Sequence, residues 1–458
     1  MSTHPSGASS LTAADALALL DPALAGSSRD FFQLAGTDLQ AKARAFNAWY
    51  RQRRDAGLMP YAREMLGAPG PLAVQRQADG TVLSGLNFSA HDYLSLGTHP
   101  QVLEAASTAM QRYGVHNGGS TVLAGNVAEA RLLEQELAEH LAMHEVLLFP
   151  TGWAAGYGLM RGLVRPDDHV VMDQLAHNCL QEGAAAATRK LHQHRHLDVA
   201  HARRVLRRVR AQDPHNGVLL VTEGCYSMDA DAPDLPALQA LAHEFRALLV
   251  VDVAHDLGSV GPQGQSQIGL QGMLGQVDLV VGSFSKTFAA SGGFVACREP
   301  ALKEYLRYYA PSATFSNALS PVQVAVVREC LRIVRSPQGQ QRRDALMQAV
   351  LALREGLQAH GLSLLGTPAP IVPVLLGPAA TARRAARALG QAGLLANLVE
   401  YPAVAQNAAR LRMLVMAQHT PAQARQAAAL VAQALQEAAG GEGMETAAMG
   451  LDLLPAGH

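Results

Sequence analysis

Short continuous runs of Val, Leu and other apolar residues at 145–149, 169–172, 190–194, 218–223, 247–252 and 277–282 predict buried strands. Between them apolar positions recur every three to four residues, which predicts helices over 100–113, 127–142, 154–163, 178–187, 199–212 and 237–245. Strand and helix in alternation is the pattern of a parallel sheet covered on both faces, so the fold class is α/β. Before this core, 39–54 sets Ala, Phe, Trp and Tyr among Lys and Arg at helical spacing and predicts an amphipathic arm. Short strands at 72–77 and 81–88 follow, joined by the Ala78-Asp79-Gly80 turn. After the core, a loop over 311–321 leads to helices at 322–335, 338–360, 379–392 and 420–438 and strands at 371–376, 394–399 and 410–416, a smaller α+β domain. The divisions are then 1–86, an N-terminal arm with short strands; 87–320, a large domain; and 321–458, a small C-terminal domain. Residues 1–28 are rich in Ala, Ser, Gly and Pro and are expected to be mobile apart from one short helix at 13–20, and the tail from Gly440 to be frayed.

Composition excludes several classes of function. A hydrophobic share of 49% with 16% charged residues describes an ordinary globular chain. With 37 Lys+Arg against 38 Asp+Glu, the net charge of −1 offers no field for nucleic acid or an anionic membrane surface. Cys179, Cys225, Cys297 and Cys330 are far apart and form no C-x-x-C pair, the pattern of reduced thiols. Residues 1–10 lack a basic leader region and no apolar run reaches bilayer length, so a cytoplasmic protein with no membrane span is expected. His192-x-His194-x-His196 places three imidazoles on one strand face, but no carboxylate or Cys stands at a fixed spacing, and no metal is expected.

The sharpest chemical signal is Val281-Gly-Ser-Phe-Ser-Lys-Thr-Phe-Ala-Ala-Ser-Gly-Gly-Phe294. A buried strand ends there in small hydroxyl residues, presents Lys286, and leaves through a Gly-Gly pair. A partly desolvated lysine amine is neutral near pH 7 and can form an imine with a carbonyl. Ser283 and Ser285 are short donors suited to phosphate oxygens, and the three residues together suggest pyridoxal phosphate. Parallel sheets bind ligands where loops leave the carboxyl ends of strands, and further polar signals stand at those points. Thr151-Gly152-Trp153 opens a helix whose free N–H groups suit a phosphate. His177, then Glu223 with Ser227, then Asp252 with His255 follow the next strands. Each alone is more often a hydrogen-bonded structural group; at successive strand ends they make a site. An aspartate beside a pyridine nitrogen keeps it protonated, and a histidine stacked on the ring fixes its plane.

On these residues the chain resembles the α-oxoamine synthases, fold-type I pyridoxal phosphate enzymes with a large parallel or mixed-sheet domain and a small C-terminal domain. The resemblance runs from about Asn87 to Gln436. Its motifs are Asn87-Phe-Ser-Ala-His-Asp-Tyr-Leu94, Asn117-Gly-Gly-Ser120, Thr151-Gly-Trp153, Glu223-Gly-Cys-Tyr-Ser-Met-Asp229, Asp252-x-Ala-His255 and Ser283-Phe-Ser-Lys286. The stretch Gly275-Gln-Val-Asp-Leu-Val-Val-Gly-Ser-Phe-Ser-Lys286 most resembles the serine palmitoyltransferase group within that family. The resemblance implies decarboxylative condensation of a small amino acid with an acyl thioester, on CoA or an acyl carrier protein, to an α-amino ketone. It implies a homodimer with shared active sites. It further implies that Lys286 holds the cofactor and acts as the Cα base, Asp252 pairs with the pyridinium, His255 contacts the ring hydroxyl and His177 stacks on the ring. Gly152, Trp153, Ser283 and Ser285 would hold the phosphate, with Ser316 reaching that of the partner subunit. Glu223 and Ser227 would line the site and Arg412 would bind the amino-acid carboxylate.

Three positions depart from the family pattern. His91 stands where an Asn usually helps to hold the substrate carboxylate, Val253 where an acidic residue is common, and Glu400 where relatives carry a cation. His91 and Glu400 are therefore expected at the substrate, with Glu400 disfavouring an anionic group there. Two competing readings follow from the same residues: another fold-type I reaction, of the aminotransferase or 2-amino-3-ketobutyrate CoA ligase type, and a non-catalytic PLP-binding subunit. Retention of Lys286 stands against the second.

Overall fold

The computed structural model describes residues 21–448, with side chains described as far as residue 439; the helix expected at 13–20 lies outside the described residues. Seven strands make the large sheet: β4 (Glu145–Phe149), β5 (His169–Asp173), β6 (Leu191–His194), β7 (Val218–Glu223), β8 (Leu248–Asp252), β9 (Leu279–Ser283) and β10 (Gly293–Cys297). Their order is β4-β10-β9-β8-β7-β5-β6. The five central and edge strands from β9 to β6 are mutually parallel, whereas β10 runs antiparallel to both β9 and β4. The sequence pattern does not single out β10, because its short apolar run follows the Gly-Gly pair directly. Helices cover both faces, and β4, β5, β7, β8, β9 and β10 are almost wholly buried, as parallel strands flanked by helices must be.

Register matters more than content here. Glu223 is the Cα partner of Asp252, and Asp252 is the partner of Val281. The last residues of β7 and β8 therefore stand side by side, and β9 runs two residues further, to Ser283, at the same end of the sheet. Gly293 pairs with Ser283 on one side and Phe149 on the other, which brings β10 under the start of the helix Gly152–Leu163. A Cβ at Gly293 would run into the backbone of Gly152, so this close approach requires glycine.

The second sheet joins the two ends of the chain. β1 (Glu64–Met65), β2 (Leu72–Arg76) and β3 (Val82–Phe88) from the N-terminal segment meet β11 (Ile371–Gly377), β12 (Leu394–Val399) and β13 (Ala409–Leu414) in the order β1-β2-β3-β12-β13-β11. The junction is a parallel pair, Leu86 opposite Leu394. Gly85 makes it possible, since a side chain there would overlap the backbone of Gly393. The arm helix Ala41–Asp55 meets this unit through Arg53, which reaches Glu400 just after β12. The loop expected over 311–321 contains a short helix, Pro311–Thr314, preceded by another at Ala301–Tyr309. The last helix, Pro421–Ala448, continues beyond Gly440, where fraying was expected. Among the described residues no helix is long and apolar enough to cross a membrane.

Candidate active site

At the carboxyl end of the large sheet a cavity of about 340 Å³ is walled by Gly152, Trp153, His177, Glu223, Asp252, His255, Ser283, Ser285 and Lys286. They arrive at or just after the ends of five strands, β4, β5, β7, β8 and β9. Thr151 caps the helix Gly152–Leu163, its hydroxyl accepting from the Ala154 N–H at 3.0 Å, so the amides of Gly152 and Trp153 stand at a capped helix start lining the cavity. A Cβ on Gly152 would strike Ser283. The Ser283 and Ser285 hydroxyls are 2.8 Å apart. His177 is the N-cap of the helix Asn178–Ala187, and its backbone N–H donates to Glu223 Oε1 at 2.5 Å. Asp252 Oδ1 accepts from the Ala254 N–H at 2.9 Å.

Burial sets the electrostatics. It lowers the Lys286 amine from the ordinary lysine value, while Asp252 and Glu223 pull the other way. Burial raises the Asp252 carboxyl, with His177 and Lys286 opposing, and pushes Glu223 well up, with Asp252 adding to the effect. It pushes the His255 imidazole well down, so His255 is neutral, and its Nδ1 is 2.9 Å from the Tyr93 hydroxyl. An amine driven towards neutrality facing a carboxylate is suited to covalent capture of a carbonyl and to proton transfer.

Beyond His255 the site continues. The His91 ring centroid is 6.0 Å from that of His255, and Arg412 Nη2 donates to His91 Nε2 at 3.2 Å. Burial, Arg412 and Lys286 together bring the His91 imidazole down to about 3. The unfolded chain takes up a proton at this position near pH 6.5 that the native ring refuses, so native stability drawn from His91 is full above that pH and is lost as pH falls towards 3. Relative to His91→Asn, which keeps an acceptor for Arg412, the wild type is expected to lose up to about 1.4 kcal/mol per pH unit in that window. Urea titrations at a series of pH values measure the difference; a gap that does not change with pH refutes it.

Glu400 lies elsewhere than a free substrate-facing anion. It is buried, with Oε2 2.7 Å from Arg383 Nε and Oε1 3.3 Å from Arg53 Nη2. It is the counter-charge of two buried arginines, one from the arm helix and one from the helix Ala379–Gln391. Glu400→Gln is expected to destabilise the fold by about 3–5 kcal/mol, because two buried guanidinium groups lose their anion; a shift under about 1 kcal/mol in urea unfolding would contradict it.

The sequence profile of the aminotransferase class I and II family matches residues 84–431. The chain belongs to that family. It is 36% identical to the 8-amino-7-oxononanoate synthase of Salmonella paratyphi B over 335 residues, 73% of this chain and 85% of that one. A serine palmitoyltransferase from S. paucimobilis, solved with bound PLP and myriocin, superposes with a TM-score of 0.82 at 29% identity, covering 88% of this chain and 99% of that chain. Sphingomonas wittichii serine palmitoyltransferase matches over the same shares at 27% identity and a TM-score of 0.81. These relatives place the chain among the α-oxoamine synthases of the aminotransferase class I and II family, as pyridoxal phosphate enzymes.

The residues present fit that cofactor. In this aminotransferase-family chain Gly152, having no Cβ, packs directly on Ser283 so that its amide and the Ser283 and Ser285 hydroxyls line one end of the cavity, while the amine and carboxylate share one wall. Ser227 and Ser316 do not line the cavity, and His91, Arg412 and Glu400 line a neighbouring one. Sequence reasoning assigned no role to Tyr93 or Cys179. Tyr93 sits in the Asn87–Leu94 motif but follows no core strand, so only its bond to His255 reveals it. Cys179 Sγ lies 3.0 Å from His177 Nδ1, and its place two residues after that histidine was the available signal. The three histidines of 192–196 diverge: His192 Nε2 meets His169 Nδ1 at 3.0 Å, and His194 Nδ1 meets the Arg195 carbonyl at 2.9 Å. His196 bridges Asp173 and Asp231; burial alone would lower it, but those carboxylates raise it to about 10.

Proposed function

We propose that this enzyme joins a small amino acid to an acyl thioester with loss of CO₂, giving an α-amino ketone. The observation that carries the reading is one cavity lined by both Lys286 and Asp252, whose His255 ring stands 6.0 Å from the His91 ring of the neighbouring cavity that also holds Arg412. The residues that would hold pyridoxal phosphate are Lys286 at its carbonyl, Asp252 at its ring nitrogen and His177 against its face. The amides of Gly152 and Trp153 with the Ser283 and Ser285 hydroxyls would hold its phosphate. When bound, the cofactor supplies an electron sink for the substrate Cα. Lys286 Nζ, its proton affinity lowered by burial, would take the proton from Cα and return it to the product. Asp252, whose charged form the Lys286 amine and His177 favour against burial, would accept a hydrogen bond from the ring-nitrogen proton. Arg412, oriented by its bond to neutral His91, binds the amino-acid carboxylate as a cation before that group leaves. His255, fixed by Tyr93, sits between the two groups of residues.

Phe315, next to Ser316, is exposed, as are Tyr308 and Tyr309 at the end of the preceding helix, which supports a homodimer in which Ser316 serves the neighbouring site. Four buried free thiols support residence in the cytoplasm. The test is direct. Purified protein loaded with pyridoxal phosphate is screened with amino acids for a change in visible absorbance, then given acyl thioesters while thiol and CO₂ are measured. Release of both in equal amounts supports condensation; conversion of an added keto acid without CO₂ release would make the enzyme an aminotransferase instead.

A further inference from the structure

We propose that the arm helix Ala41–Asp55, latched over the loop that follows β12, forms the binding site for the acyl chain and selects an apolar chain with no terminal charge. This rests on the α-oxoamine synthase reading and names the substrate class of that site.

The neighbouring cavity has a volume of about 860 Å³, within the range that holds organic ligands of some length. One wall is Phe46, Trp49 and Tyr50 of the arm helix; the other is Leu398, Val399 and Tyr401 at the end of β12 and just beyond it. Its inner end is His91 and Arg412, which adjoin the cofactor cavity through His255. An acyl group joined to the substrate Cα would then lie next to a largely apolar cavity able to take its chain.

The arm is held in place by the residue that departs from the family pattern. Arg53 is fully buried, reaches Glu400 and the Leu58 carbonyl, and lies 4.6 Å from the centre of the Trp49 ring. Arg383 binds the other Glu400 oxygen and donates to the Gly26 carbonyl at 2.8 Å, while Trp49 Nε1 donates to the Ala25 carbonyl at 3.0 Å. The indole is thus fixed on the cavity wall by contacts on both sides. Glu400, consumed as the latch, presents no free charge to a ligand. Among the described residues lining this cavity Arg412 is the only Lys or Arg, and it stands at the inner end beside His91. A carboxylate at the far end of an acyl chain would be stripped of water with no cation to meet it.

The experiment uses the loaded enzyme and begins without thioester. Exchange of the amino-acid Cα hydrogen for deuterium, followed by NMR, tests the parent reading alone. CoA thioesters of acetyl, heptanoyl and decanoyl, and the ω-carboxylated counterpart of heptanoyl, are then compared by thiol release. The expected kcat/KM rises about tenfold or more from acetyl to decanoyl and falls about tenfold or more when heptanoyl gains its terminal carboxylate. Trp49→Ala is expected to cut the preference for decanoyl over acetyl about fivefold or more, chiefly through KM, and Trp49→Phe to retain it. Exchange with no dependence on chain length or terminal charge overturns the proposal, as does an unchanged preference in Trp49→Ala. Absence of exchange overturns the condensation reading itself and this proposal with it.

Discussion

Lys286→Ala is expected to reduce turnover by about 10³-fold or more and to abolish the visible absorbance of the lysine-bound cofactor. Lys286 is the only lysine lining the cavity among the described residues, so no neighbouring amine can take its place. It supplies two functions at once: attachment of the cofactor and transfer of the Cα proton. Burial has already lowered its proton affinity, which fits it for both. Replacement by alanine removes a desolvated amine, so the fold is expected to survive, and a melting curve with a single transition near that of the wild type checks this. Titration with pyridoxal phosphate followed by spectroscopy gives the first readout and steady-state thiol release the second. Retention of about a tenth of wild-type turnover would remove Lys286 from the chemistry.

Asp252→Asn is expected to lower kcat by about 10²–10³-fold with little loss of stability. The amide keeps the size of the side chain and an oxygen to accept from the Ala254 N–H, now 2.9 Å away, so only the charge is removed. That charge opposes the burial effect on Lys286. Without it the amine becomes still less basic, so the rise of kcat with pH, which reports the lysine once substrate has released it, is expected to move to lower pH in the variant. The sign follows from the requirement for a neutral amine: activity grows as pH passes upward through the lysine value, and lowering that value moves the rise towards acid. A pH profile of both proteins measures it. A variant with wild-type kcat, or with its acid limb moved to higher pH, would separate Asp252 from the reaction.

Much of the catalytic constellation was readable because parallel α/β sheets place functional groups at predictable points. Once 218–223, 247–252 and 277–282 read as buried strands, Glu223, Asp252 and Lys286 stood at or just after successive strand ends, and a parallel register brings such residues together. The family resemblance then added roles to positions that spacing had already gathered. Glu400 shows the opposite case. Its substitution for a cation was visible, and its consequence was read as a change at the substrate. The structure gives it two partners, Arg53 and Arg383, that lie hundreds of residues and seventeen residues away respectively. No local period links Arg53 to Glu400.

β10 and the second sheet were likewise beyond local pattern. β10 is short and enters straight from a glycine pair, and its antiparallel place between β4 and β9 depends on Gly293 fitting beneath Gly152. β3 joins β12 by contacts between the two ends of the chain, at a point where only glycine at 85 fits against Gly393. Tyr93 became legible as part of the site only through its bond to His255.

The amino-acid sequence by itself determined the α/β class, the family, the cofactor and the order of chemical groups at the strand ends, since these depend on local periodicity and short motifs. Only the tertiary structure decided that Arg412 is turned by His91, that His255 is held by Tyr93, and that Glu400 ties the arm helix over a second, largely apolar cavity. Those facts depend on pairings between residues far apart in the chain, which are chosen by burial and the need to satisfy buried charge, and neither leaves a repeat that can be read along one dimension.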